Sequence, residues 1–237
     1  MEIDKYLRYE NRILARDTSA MESTLKFLKQ LAKNNQKEWF DANRMHYDIA
    51  KSEFEDIIKT IIEKCVDFDR SLMGLEARKC MFRINRDVRF SKDKSPYKLN
   101  MGASINSGGK KEMGSGYYIH IEPGKSFLAG GCYMPDANAL SKIRQEIDYH
   151  TADFKKILSS KNFKAYFKDL SQDGKLKTAP KGYPKDHPDL HLLQHRHFIV
   201  EIPLKDSEVL DKDFPVYAAK VFKAIYPLNQ FLRKATE

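Results

Sequence analysis

The spacing of apolar residues changes from a helical period to strict alternation and back again along this chain, which limits the fold classes open to it. Apolar residues recur every three or four positions from Leu25 to Val66, as on one face of a helix. Residues 81–90 and 99–105 alternate instead, and residues 117–121 and 126–133 form a hairpin pattern around Pro123-Gly124. Because the strands cluster between helices, the sequence predicts an α+β fold.

The expected fold is a central antiparallel or mixed sheet of about four to six strands, flanked by N- and C-terminal helices. We expect one further strand over residues 197–203. Helices are expected over residues 21–33, 36–66 (with a break within 42–47), 136–149, 151–170 and 207–234. We predict a charged extension over residues 1–20 and a single domain over residues 21–237, a length that one core can serve.

Composition excludes several classes of protein. A hydrophobic share of 41% and a charged share of 32% are typical of a globular chain and too apolar for a disordered one. No apolar run is long enough to span a bilayer, so we expect no membrane association, and the polar start predicts no secretory signal. Three widely spaced cysteines, Cys65, Cys80 and Cys132, predict buried thiols in a reducing, cytoplasmic setting without structural zinc. We predict no cofactor, and the sequence leaves the oligomeric state open.

The segment from Arg83 to Lys98 is the most unusual part of the sequence. On a strand, Arg83, Asn85, Asp87 and Arg89 would share one face, whereas Ile84, Arg86, Val88 and Phe90 would form a core face. Arg86 would then need a carboxylate or a bound anion as its partner, because it cannot lose its charge. The segment has a net charge of +4, from two acids (Asp87, Asp93) and six bases (Arg83, Arg86, Arg89, Lys92, Lys94, Lys98).

These residue types predict an anion site. Asp87 would orient Arg83 and Arg89 for bidentate contact with a phosphate or carboxylate. A turn over residues 91–96 would bring Lys94, Tyr97 and Lys98 back beside the strand, where the Tyr97 phenol would donate a hydrogen bond. The alternative is structural, since arginine–aspartate networks also hold strands together.

The segment also carries a longer pattern, Arg83-x-x-Arg86-Asp87-x-Arg89-Phe90-x-x-Asp93-Lys94-x-x-Tyr97. It resembles the signature R-x-x-R-D-x-R-F…K-x-x-Y of the bacterial family called domain of unknown function 2461. The similarity runs from about Ser23 to Leu232 and includes Asn35-Gln-Lys-Glu-Trp39-Phe40, Asn43-Arg44, Gly116-Tyr-Tyr-Ile-His-Ile-Glu-Pro-Gly124, Met134-Pro-Asp136 and Gly182-Tyr-x-x-Asp-His-Pro188. The resemblance implies that the segment is functional, and it implies no particular activity.

Histidines offer two further hypotheses. His120, in the hairpin, is with Asp87 a weak candidate for proton transfer if the cationic segment lies nearby. His191 and His195 would share a helix face at i and i+4, the spacing of two metal ligands, although no third ligand is evident. An exposed helix that carries histidines is the favoured interpretation.

Three functions therefore compete. The first is an enzyme or ligand-binding protein that recognises a small phosphate- or carboxylate-bearing molecule through the Arg-rich strand and turn. The second is a nucleic-acid-associated protein that adds the Lys-rich helices of residues 151–170 to this strand, although no nucleic-acid-binding motif is present. The third is a structural or interaction protein in which the arginines form an internal salt-bridge network.

Overall fold

The computed structural model describes residues 20–112 and 114–236, so the extension expected over residues 1–20 lies outside the described residues except for Ala20. The described chain forms an α+β fold with ten α-helices and one four-stranded antiparallel sheet, which confirms the expected class. Within these residues, no helix combines the length and the apolar character needed to cross a membrane.

The elements follow the order that the sequence predicts, with strands between two groups of helices. Before the sheet lie α1 (Glu22–Lys33), α2 (Lys37–Ala42), α3 (Arg44–Cys65) and the short α4 (Ala77–Cys80). The first three strands are β1 (Met101–Ile105), β2 (Ser115–Ile121) and β3 (Ser126–Cys132). After them come α5 (Ala137–Tyr149), α6 (Thr151–Ser159), α7 (Lys161–Lys164), α8 (Leu190–Leu193), β4 (Phe198–Leu204), α9 (Asp206–Leu210) and α10 (Phe214–Thr236).

A carboxylate from α3 stabilises the start of α1. Glu53 accepts hydrogen bonds from the backbone amides of Ser23 at 3.2 Å and Thr24 at 2.7 Å. The first amides of a helix have no intrahelical acceptor and carry partial positive charge, so a carboxylate is a favourable partner for them. This contact fixes α1 beside α3, and α3 forms one wall of the site described below.

The sheet is a meander in the order β1-β2-β3-β4. Ala103, Ile119 and Leu128 occupy one row across β1, β2 and β3, and all three are fully buried. Helix α10 packs on this face. A Cβ atom at Gly130 would lie 2.8 Å from Cγ2 of Ile225, so a glycine in β3 is what lets the helix approach so closely. The three cysteines are free and buried, as expected.

The prediction of a strand over residues 81–90 is wrong. The backbone there is irregular and makes only two isolated bridges, Met81 with Ala103 and Asn85 with Tyr97. Strand β1 begins only at Met101, so beyond Phe82 the segment has no sheet strand to pair with. It pairs instead with its own returning end, where the amide of Lys98 donates to the carbonyl of Ile84 at 2.8 Å. We call residues 83–98 the arm.

Side-chain burial along the arm also departs from the expected core face. Ile84 is buried, but Val88 is only partly so and the Phe90 ring is 96% exposed. Burial still alternates as far as Arg89, since Ile84, Arg86 and Val88 are less exposed than the residues between them, and Phe90 alone breaks the expected core face. The polar side chains are held by contacts within the arm rather than by a sheet ladder.

A buried carboxylate that the sequence analysis did not single out joins the C-terminal helix to the sheet. Asp69, 1% exposed, accepts from two Arg233 nitrogens at 3.0 and 2.5 Å, from the Tyr117 hydroxyl at 2.8 Å and from the Ser71 hydroxyl at 2.6 Å. Burial raises the pKa of Asp69, but the hydrogen bonds from Arg233, Ser71 and Tyr117 and the charge of Arg233 outweigh it, so the pKa lies below its ordinary value. The ionised form is thus the one that the fold stabilises.

Replacing Asp69 with Asn is expected to lower the free energy of unfolding by about 3 kcal/mol at neutral pH, because Arg233 loses its counter-charge. A carboxyl with a lowered pKa stabilises the fold above its unfolded pKa and loses that effect as pH falls through the folded pKa. The difference in the free energy of unfolding between wild type and variant should therefore become smaller below about pH 4. Urea denaturation at neutral pH and below about pH 4 measures this difference. Asp67→Asn, an exposed neighbour, is the control and should stay within about 0.5 kcal/mol of wild type.

Candidate anion-binding site

The arm is anchored to the N-terminal helices by Tyr97. Its ring is buried and stacks on Phe40 of α2, with ring centroids 4.0 Å apart and planes 17° apart. The side chain of Asn35 makes both hydrogen bonds to the Tyr97 backbone: its Nδ2 donates to the carbonyl at 2.9 Å, and its Oδ1 accepts from the amide at 3.1 Å. Asn35 thus satisfies the backbone amide and carbonyl of Tyr97 as a neighbouring strand would. These contacts join Asn35 and Phe40, near the start of the chain, to the end of the arm.

The donor role expected for the Tyr97 phenol stays a prediction. Its hydroxyl makes no hydrogen bond with the residues that the structure describes, and burial, with the charge of Asp41, raises its pKa. Packing of the ring is what this residue contributes. Trp39 and Tyr47 extend the same aromatic cluster around Phe27.

The tip of the arm is paired internally. Arg86 forms an ion pair with Asp93 and also donates to the Ser95 carbonyl at 3.1 Å and to the Ser91 hydroxyl at 3.3 Å. The hydroxyl and amide of Ser95, followed by Arg86, lower the pKa of Asp93 to about 2. Arg86 therefore has the partner that its charge requires, and that partner lies within the arm.

Two more of the expected anion ligands are engaged in the same way. Arg89 binds Asp87 through Nε at 2.9 Å and through a terminal nitrogen at 2.7 Å. The hydrogen bonds from Arg89 lower the pKa of Asp87, so this carboxylate is held as an ion-pair partner. Lys94 donates to the Val88 carbonyl at 3.0 Å. These contacts shape the tip of the arm.

Arg83, at the base of the arm, is different, because it makes no hydrogen bond or ion pair with any residue in the described part of the chain. It borders an open hollow of about 250 Å³ between α3 and the start of β1. We call this hollow the cationic groove. None of its described lining residues is acidic, and four are basic: Lys51, Arg78, Arg83 and Lys110. Tyr47, Phe54 and Phe82 supply aromatic walls.

The four bases differ in how free they are. Arg78 pairs with Glu55 at 2.6 Å, and Lys110 donates to the Met81 carbonyl. Lys51, like Arg83, has no such partner among the described residues. Two cations of the groove are therefore available to a ligand without breaking an existing contact.

Lys98 lies at the base of the arm, near enough to Arg83 for that charge to affect its pKa. Burial and then the charge of Arg83 lower its pKa, and its Nζ lies 5.5 Å from the centre of the Phe82 ring. Phe82 is itself a wall of the groove. Of the sequence-predicted residues, Arg83 thus borders the groove, Lys98 lies beside it, and Arg86, Arg89 and Lys94 lie in the paired tip.

His120 lies close to the groove but does not border it. Its Nε2 is 3.1 Å from Glu122, and its Nδ1 is 3.3 Å from the Tyr118 hydroxyl and 3.4 Å from Nδ2 of Asn100. The ring stacks on Phe127, with centroids 4.6 Å apart. Asn100 is also a lining residue of the groove, so it connects the two features.

The geometry assumed for a metal pair at His191 and His195 is absent. Helix α8 ends at Leu193, so the two residues do not share a helix face. His195 is buried with Nδ1 3.1 Å from the Ser171 carbonyl, and burial followed by the charge of Lys175 lowers its pKa to about 4. The described residues contain no group of three or more potential metal-ligating side chains.

Sequence reasoning missed three of the four groove bases. Lys51 had a recognisable signal, because it follows Tyr47 by four residues and precedes Phe54 by three, which places one charge on an aromatic helix face. Lys110 lies in the Gly-rich loop, and only the folding of that loop against Met81 brings it to the groove.

Replacing the buried anchor of the arm should cost far more stability than replacing its exposed aromatic. We expect Tyr97→Ala to lower the free energy of unfolding by about 3 to 5 kcal/mol, because a buried ring leaves a cavity. Phe90→Ala, in the same arm, should change it by less than about 0.5 kcal/mol. Denaturant unfolding measures both, and equal effects would contradict the placement of these rings.

A comparison with protein-family models matches residues 23–231 to the conserved hypothetical protein family DUF2461. Comparisons with curated proteins and with solved structures find no match. The matched range contains the whole arm, the four bases of the cationic groove and His120. Because the match covers well over half of the chain, this protein belongs to the DUF2461 family.

Proposed function

We propose that this protein recognises a small phosphate- or carboxylate-bearing molecule in the cationic groove. The observation that carries the proposal is a hollow lined by four bases and no acid, in which Lys51 and Arg83 have no partner among the described residues. Like charges brought together repel each other unless an anion lies between them. A bound anion would therefore stabilise the arrangement as well as being held by it.

We place the anion site at the base of the arm, beside Arg83, and not at its tip. Arg86 and Arg89 already have carboxylate partners, so a ligand would have to displace Asp93 or Asp87 to reach them. In this view the paired tip gives the arm its shape, and Tyr97 fixes the arm against α2, with Arg83 and Lys51 lining one hollow. The buried thiols and the absence of a membrane-spanning helix in the described chain fit our proposal of a cytoplasmic protein.

A second hollow is less suited to an anion. It has a volume of about 290 Å³ and lies between α1 and the turn that joins β2 to β3. Lys29 and Lys33 border it, but Lys29 is paired with Asp206 at 3.0 Å and Glu122 also lines it. Mixed charge and a mainly apolar wall make it a weaker anion site than the cationic groove.

The chemistry that the groove favours is charge stabilisation. Arginine and lysine side chains that are already in place can stabilise an anion or the negative charge that develops on a reacting oxygen. The groove is open and its bases are exposed, so salt will screen the attraction strongly. We therefore expect weak, salt-sensitive binding of small dianions, with affinity that depends on Arg83 and Lys51.

Sulfate is a suitable probe, because it is a dianion without a titrating proton. We expect Arg83→Ala and Lys51→Ala each to weaken sulfate binding roughly fivefold at low ionic strength, since each removes one charged contact. Arg86→Ala should leave the affinity within about twofold of wild type, because its charge is held by Asp93. Isothermal titration calorimetry measures all three.

Lys64→Ala is the matched control, an exposed lysine of α3 away from the groove. If Arg86→Ala abolishes binding while Arg83→Ala does not, the site belongs at the tip. If no variant changes the affinity, or the wild type binds no sulfate, the groove is not an anion site.

The nucleic-acid alternative makes a different prediction from a small-anion site. The phosphates of a duplex or single strand would contact several lysine and arginine side chains at once. The affinity for nucleic acid would therefore fall steeply with salt and depend on lysines of α6 and α7 as well as on the groove. Fluorescence anisotropy with a labelled oligonucleotide, on wild type and on a Lys161→Ala, Lys164→Ala variant, separates the two. Retention that depends on these lysines and not on Arg83 would favour nucleic acid over a small anion.

A further inference from the structure

Asn100 is the one uncharged polar side chain that borders the cationic groove apart from Tyr47, among the lining residues that the structure describes. Its Nδ2 lies 3.4 Å from Nδ1 of His120. The orientation of this amide decides whether the groove gains a hydrogen-bond donor or an acceptor at that end. The contacts of His120 fix that orientation.

The proton positions on His120 follow from its neighbours. An ionised carboxylate only accepts hydrogen bonds, so Nε2, 3.1 Å from Glu122, carries a proton. The Asn100 amide nitrogen only donates, so Nδ1 must offer its lone pair. The Tyr118 hydroxyl, 3.3 Å away, shares the same lone pair, which accounts for two long contacts in place of one short one.

The hydrogen-bond chain Glu122–His120–Asn100 therefore holds Asn100 in one orientation. Phe127 limits rotation of the imidazole by stacking on it, and Lys125 holds Glu122 from the other side at 3.2 Å. With Nδ2 committed to His120, the other end of the Asn100 side chain is Oδ1. This oxygen accepts no hydrogen bond from the described residues and is not buried. Because Asn100 lines the groove, we take this oxygen as an acceptor for a ligand bound there.

We infer that the ligand of the cationic groove carries a hydroxyl group beside its anionic group, as in a small polyol phosphate, and that Asn100 selects it through that hydroxyl. This inference rests on the proposed anion site. The bases hold the phosphate, Asn100 Oδ1 accepts from the hydroxyl, and His120 is a positioning residue for Asn100. The volume of about 250 Å³ lies below the usual range for drug-sized ligands, which fits a molecule of few carbons.

Two phosphate esters test the inference without a change in charge. Glycerol 1-phosphate and propyl phosphate have the same phosphate group and three carbons, and differ only in the hydroxyls. At about pH 8 both are dianions. Calorimetry on wild type is expected to give affinity for glycerol 1-phosphate that is roughly threefold to tenfold higher, the effect of one net hydrogen bond.

Two variants assign the preference to Asn100. Asn100→Ala should bring the affinity ratio close to one, because the hydroxyls of glycerol 1-phosphate lose their acceptor. His120→Phe keeps a ring that can stack on Phe127 and removes the lone pair that holds Asn100. The released amide can then turn its donor toward the groove, so the ratio should fall and the affinity for propyl phosphate should stay equal or rise.

Asn138→Ala, an exposed asparagine at the start of α5, is the control and should keep the wild-type ratio. If wild type binds neither ester, the proposed anion site itself fails. If it binds both equally, or if the preference survives in Asn100→Ala, the anion site stands and the inference about the hydroxyl is overturned. A ratio that falls in Asn100→Ala but not in His120→Phe overturns the positioning role of His120.

Discussion

The contact of Asn35 and Phe40 with Tyr97 is the interaction on which the arrangement of the site depends. The arm has no strand beside it after Phe82, so no sheet ladder fixes its position. Asn35 replaces that ladder with two side-chain hydrogen bonds, and the ring of Tyr97 adds a stacked contact with Phe40. Since backbone polar groups of an irregular segment must find partners elsewhere, this contact lets a charged loop lie in a defined place. Arg83, at the base of the arm, lines the same hollow as residues of α3.

The charges of the arm then divide by position. At the tip, Arg86 and Arg89 each face an aspartate a few residues away, so their contacts are local and need nothing from the rest of the fold. At the base, Arg83 lines the same hollow as Lys51 and Lys110, which belong to a helix and to a loop distant in the sequence. The ion pairs at the tip neutralise its arginines, whereas the groove brings together bases from parts of the chain that are distant in sequence. We therefore propose an anion-binding role for the base of the arm and a structural role for its tip.

Residue patterns predicted the elements with regular partners well. The hairpin of β2 and β3, the helix start at Asp136 and the break between α2 and α3 all agree with turn, capping and period signals. The arm was wrong because alternation alone does not make a strand: a strand also needs a neighbour, and β1 begins too late to provide one. The shared helix face assumed for His191 and His195 is wrong for a related reason, since α8 is only one turn long and ends before His195. Both errors lie where short-range pattern and long-range packing disagree.

By itself, the sequence determined the α+β class, the order of helices and strands, the buried thiols and the concentration of charge over residues 83–98. These follow from period, turn chemistry and composition, which act over a few residues. Only the tertiary structure decided which cations remain free, because that depends on whether a carboxylate from the same loop or a cation from a distant element lies beside each one. Arg86 and Arg83 are three residues apart and of the same type, yet Arg86 forms an ion pair with Asp93 whereas Arg83 lines a hollow that Lys51 and Lys110 also line.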